Sequence, residues 1–186
     1  MTTPRYSRLS IALHWTMAVA IAAAWVLSQV MDGVARGPMR TTLTGTHALM
    51  GLAVLALLPP RVLARLMPPP GDAAGTAPGL AGPHREERLA QAVHLALYAL
   101  MLLLPLTGLL LAMSGRRPLP VLGLFEIPNS FASWNIHRDI EDVHEVLANL
   151  MLGLVTLHVL ATLWHALVRH DDVAARMIPL LARHGR

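Results

Sequence analysis

The chain contains no cysteine. That absence excludes disulfides, thiolate-held zinc, iron–sulfur clusters and the covalent attachment of c-type haem. Charge is scarce as well. Only 14% of the residues are charged against 54% apolar, a balance foreign to an ordinary soluble domain. Lysine is missing too, so all 15 basic residues are arginine. These arginines flank apolar runs and form no basic patch between aromatics. The net charge of +4 therefore reflects membrane topology, and no nucleic-acid partner is expected. The length, 186 residues, suits a single domain over 1–186.

Four apolar runs are present, at about 9–31, 43–67, 89–113 and 136–168. Each approaches the roughly twenty residues needed to cross a hydrocarbon core. The first follows Arg5 and Arg8 but is too long for the apolar region of a signal peptide, so an uncleaved span is expected. Pro59 and Pro60 predict a kink or an early exit from the second. Arg61 and Arg65 would then lie on an interfacial extension and snorkel toward lipid phosphates. Residues 68–88, rich in Pro, Gly and Ala and then charged, read as a loop. Residues 114–136 form the longest connection, expected to pack over the mouth of the bundle. The fold class expected is an all-α integral membrane protein, a four-helix transmembrane bundle in a lipid bilayer.

Arginine placement orients it. Arg5, Arg8, Arg61, Arg65, Arg85, Arg88, Arg169, Arg176, Arg183 and Arg186 lie on one side, and Arg36, Arg40, Arg116, Arg117 and Arg138 on the other. The excess puts both termini in the cytoplasm.

An ionisable side chain inside an apolar span marks function by default. His144 and His158 lie fourteen residues apart on the last span. At about 100° per residue they return to within roughly 40° of one direction, separated by roughly 21 Å along the axis. His14 and His47 lie about one turn inside two other spans. Counting depth from the expected topology pairs His14 with His158 in the inner half and His47 with His144 in the outer half. Four imidazoles at two depths suit two six-coordinate haems, each held by two histidines and built for electron transfer.

Other readings stay open for single residues. A membrane histidine is commonly a hydrogen-bonded core residue. His137 and His165 share the stripe of His144 and His158, seven residues outside them. His94, on the third span, has no partner at matched depth in this reading and suits a haem propionate or a quinone. His84, His170 and His184 read as solvated. Met151, midway between the last two candidate ligands, reads as filler. Gly45, Gly51, Gly108, Ala148 and Gly153 leave room for a porphyrin slot or simply permit close helix packing.

The segments Tyr6–Trp15 (YSRLSIALHW), His47 followed by Arg61–Leu66 (RVLARL), His94–Tyr98 (HLALY), Leu104–Gly108 (LPLTG), His144–Leu150 (HEVLANL) and Leu157–His158 occur in order along nearly the whole chain. This ordered set resembles the bacterial cytochrome b561 family, small four-helix di-haem cytochromes linked to quinone. The resemblance implies two haem b, with His14, His47, His144 and His158 as iron ligands, in a bacterial inner membrane. Within the family the chain looks like the type that transfers electrons from superoxide, on the periplasmic side, to ubiquinone. It departs from that type in the outer loop and around Asn135–Asp142, the surface that would meet the donor.

For a superoxide donor, Arg36, Arg40, Arg116, Arg117 and Arg138 would supply a positive funnel. The competing class is a cytochrome b subunit or membrane anchor that passes electrons between a partner dehydrogenase or hydrogenase and the quinone pool. A haem-free structural bundle would leave the histidine pairs without a role.

Overall fold

The computed structural model describes residues 7–66, 84–170 and Met177. Arg5, Arg176, Arg183 and Arg186 of the orientation argument lie outside the described residues, as do His184 and most of the loop expected over 68–88. Four helices follow one another: α1 (Arg8–Asp32), α2 (Pro38–Leu66), α3 (His84–Met113) and α4 (His137–Trp164). A wider turn, His165–Arg169, continues α4. All four are long and apolar enough to cross a membrane.

Local chemistry explains their ends. Ser7 caps α1, its hydroxyl accepting the Ser10 N–H at 3.1 Å. α2 starts at Pro38, five residues before the expected boundary at 43. Proline suits a first helical position, where its missing N–H is no loss. The polar turn that follows stays helical because Thr41, Thr42, Thr44 and Thr46 each donate a hydroxyl to the carbonyl four residues back. Residues 84–88 are the first turn of α3 and not loop. Glu86 and Glu87 complement the positive end of that helix, and Glu86 pairs with Arg169 beyond α4. α2 also runs through Pro59 and Pro60 without the early exit their sequence suggests.

Arg61 is the consequence. Continuing the helix turns this residue inward, and it is only 6% exposed. Its Nη1 donates to the Ser10 carbonyl at 2.8 Å and to the Ser10 hydroxyl. The expected snorkelling toward phosphates is therefore wrong for Arg61, while Arg65 is exposed.

The 114–136 connection is structured. Leu119–Val121 (β1) pairs antiparallel with Phe125–Ile127 (β2), and a single helical turn spans Ala132–Trp134. β1 lies on α2, with Val121 fully buried and Ile127 nearly so. Gly45 makes this approach possible. A Cβ there would run into the Pro120 carbonyl. Gly45 thus seats the hairpin on α2. Gly45→Ala is expected to cost about 1–3 kcal/mol through overpacking. The check is a lowered thermal midpoint of the purified protein in detergent.

α1 packs against α2, α2 against α3, and α3 against α4, whereas the backbone of α4 keeps away from α1 and α2 except at isolated points. The core is thin. Met17, Ala20, Val54 and Leu58 form it, with Met50, Tyr98 and Met101 packed around them. Large apolar side chains point outward instead, among them Leu95 at 72% exposure and Val146 at 67%. In water that surface would aggregate; in lipid it matches the solvent.

Candidate haem-binding sites

The helix order sets two levels. The end of the bundle carrying the start of α1 and the close of α4 holds His14, His94 and His158. The end carrying the hairpin holds His47 and His144. Met151 lies seven residues from both His144 and His158 and is the one buried residue of α4 among those described. The α4 face that carries both histidines is therefore the inward face.

At the hairpin end the rings of His47 and His144 lie 6.2 Å apart between centroids. At the other end those of His14 and His158 lie 6.4 Å apart. Two imidazoles on one iron have centroids roughly 6.3 Å apart, given metal–nitrogen bonds of about 2.0 Å. The residues fit a haem iron in a second respect. His47 Nδ1 donates to the Ala24 carbonyl at 2.9 Å. His144 Nδ1 lies 2.9 Å from the Thr107 hydroxyl, which itself donates to the Leu103 and Leu104 carbonyls and so accepts from the ring. Both rings thus present an unprotonated Nε2, the tautomer that a metal requires, held by the partner that orients it. Gly108 permits the His144 position, since a Cβ there would stand 3.2 Å from its Cε1. Gly51 and Gly153 face open space. Among the described residues no three His, Asp or Glu converge as a metal cage. The donors expected from the sequence, His47 with His144 and His14 with His158, form two pairs, which would suit a group that brings its own four nitrogens.

The structure departs from the sequence reading at His94. Its ring lies 5.3 Å from that of His158, at matched depth. The clue was present, because His94 sits five residues into its apolar run just as His14 does. His94 Nδ1 donates to the Ala90 carbonyl at 2.6 Å. His137 stands apart from the His47–His144 pair: its ring bonds the Ser114 hydroxyl at 2.8 Å and ties α4 to the end of α3. His165 lies beyond His158 at the last turn, and His170 is exposed.

The five candidate steering arginines gather at the hairpin end. Arg36, Arg116, Arg117 and Arg138 are exposed, whereas Arg40 is half-buried and donates to the Val34 carbonyl at 3.1 Å. Asp32, Glu126, Asp139, Glu141, Asp142 and Glu145 share that end.

Comparison with known proteins places this arrangement. The family profile for prokaryotic cytochrome b561 matches residues 5–180. A probable superoxide oxidase, CybB, of Yersinia pestis is 28% identical over 176 residues, 94% of this chain and 96% of that protein. Cytochrome b561 homolog 2 of Escherichia coli (strain K12) is 29% identical over 186 residues, covering 95% and 93%. Cytochrome b562 of Cereibacter sphaeroides is 26% identical over 180 residues, covering 94% and 96%. A profile match over nearly the full length, on four membrane-spanning helices with histidines facing inward, makes this chain a member of the prokaryotic cytochrome b561 family, membrane electron-transfer proteins that bind haem b.

Proposed function

We propose that residues 1–186 form one di-haem domain that transfers electrons from superoxide to ubiquinone in the inner membrane, with both termini cytoplasmic. His14 and His158 hold the haem b on the cytoplasmic side, and His47 and His144 the haem b on the periplasmic side. The observation that carries this reading is the pair of histidine contacts, at 6.4 and 6.2 Å, one at each end of the bundle. The superoxide donor is supported by the name of the Yersinia pestis relative.

When bound, haem b supplies a one-electron Fe(III)/Fe(II) couple. The overall reaction takes two superoxide anions, one ubiquinone and two protons to two dioxygen and one ubiquinol. The chain's own residues do the rest. Ala24 and Thr107 fix the tautomer and orientation of the outer pair of histidines and raise their basicity. Exposed Arg116 and Arg117 border the outer surface and attract a small anion there. Ubiquinone must gain protons at its headgroup. His94, a titratable ring beside His158, is the group we assign to that region.

A second reading has one observation in its favour. Six acids, Glu145 beside His144 among them, accompany the five arginines at the hairpin end, so that surface is close to neutral. A balanced surface suits a protein donor better than it suits long-range steering of a small anion. The chain would then be the cytochrome b subunit or anchor for a partner dehydrogenase or hydrogenase.

The ligand set is tested by haem stoichiometry. A pyridine haemochrome assay on purified protein is expected to approach two haem b per polypeptide. A value near one, or none, overturns the two-pair assignment.

A further inference from the structure

Arg61 has no part in the reading above, yet it is the most unusual charged group in the bundle. It lies within a membrane-spanning helix and is 6% exposed. Ser10, which receives its Nη1 hydrogen bonds, is 1% exposed. Both acceptors on Ser10 are neutral. Among the described residues no carboxylate pairs with the guanidinium, and its Nε and Nη2 have no hydrogen-bond partner. A buried cation with no counter-charge is costly, and arginine does not discard its proton to escape that cost. A counter-anion at its free edge would offset that cost.

We propose that Arg61 is the receptor for a propionate carboxylate of the haem held by His14 and His158, an inference that rests on that ligand assignment. Position supports it. Ser10 precedes His14 by one helical turn on the same face of α1, so the Ser10 contact sets the guanidinium beside the His14 level. Geometry supports it as well. With Nη1 committed to Ser10, the free Nε–Nη2 edge is a planar fork that matches the two oxygens of a carboxylate. A quinone oxygen offers one acceptor and no charge. Ser10 thus acts as the clasp that turns the free edge of Arg61 toward the haem, making Arg61 a positioning residue that sets that haem's orientation and potential.

Redox titration of the purified holoprotein tests this. Positive charge beside an iron disfavours the ferric state, so Arg61→Gln is expected to lower the midpoint of one haem and leave the other unchanged. The expected shift is at least tenfold in the ferric-to-ferrous ratio, about 59 mV for one electron. Arg61→Lys keeps the charge but loses the fork. It is expected to hold both haems near their original midpoints while the propionate-bending band of one haem moves in the resonance Raman spectrum. Spectral comparison with His14→Ala identifies the affected haem. Arg61→Gln protein with two haems at unaltered midpoints overturns the proposal, as does an unmoved propionate band in Arg61→Lys. A midpoint shift confined to the haem that His14→Ala retains overturns it too. If His14→Ala keeps both haems, it is the ligand assignment that fails.

Discussion

His47→Ala and His144→Ala are expected to lose the same haem, and His14→Ala and His158→Ala the other. In the proposed assignment each substitution would remove one of the two histidines that hold an iron which the chain reaches through no other donor in that set. The haem content of each variant should fall from about two to about one per chain. Low-temperature spectra of the four variants should sort into two classes, one lacking each component. Should His14→Ala and His144→Ala fall in one class, the pairing at 6.4 and 6.2 Å does not describe the ligated protein.

Two further variants sharpen that result. Thr107→Val leaves the His144 imidazole in place but removes the oxygen that accepts its Nδ1–H. Losses of such orienting partners weaken metal binding by about 10–100-fold, so partial and not complete loss of the haem assigned to the hairpin end is expected. His94 is the strict control at the other end, because its ring is nearer to His158 than that of His14 is: 5.3 against 6.4 Å. His94→Ala is expected to keep both haems. If it loses the haem that His158→Ala loses while His14→Ala keeps it, His94 is the ligand and His14 is not.

The four spans were legible because each is an apolar run of membrane length, and the inward face of α4 because His144, Met151 and His158 repeat at seven-residue steps. What was not legible depended on tertiary contacts. The threonine-rich opening of α2 looks polar in sequence, yet its hydroxyls are consumed by the helix's own carbonyls. The Glu86–Arg169 pair that joins α3 to the end of α4 connects residues 83 apart. The inward turn of Arg61 follows from two prolines failing to end a helix and from a carbonyl 51 residues away. Gly45 read as a low point in a slot, and only the fold of 119–127 shows what occupies it. His94 was misjudged for a different reason: its depth was readable from its place in the third apolar run.

The isolated protein is expected to oxidise superoxide and pass the electrons to ubiquinone. Stopped-flow mixing of oxidised holoprotein with superoxide should show reduction of the b-type absorbance, faster at low salt than at high. Exposed charges act over about 8–10 Å at physiological ionic strength, so the effect belongs to arginines near the site of electron entry. The neutral balance of the hairpin end limits it. With Asp32, Glu126, Asp139, Glu141, Asp142 and Glu145 present, the attraction is local to arginines that no acid offsets. Arg116 and Arg117, adjacent in the chain and both exposed, are the pair to test. Replacing both with Gln is expected to slow reduction several-fold at low salt and to flatten the salt dependence, a smaller effect than the roughly 10- to 1000-fold that full steering gives. Rapid reduction that ignores salt and both substitutions would keep the activity and remove the arginine funnel. No reduction by superoxide at any salt would favour the subunit reading, in which a protein donor docks on that mixed-charge surface.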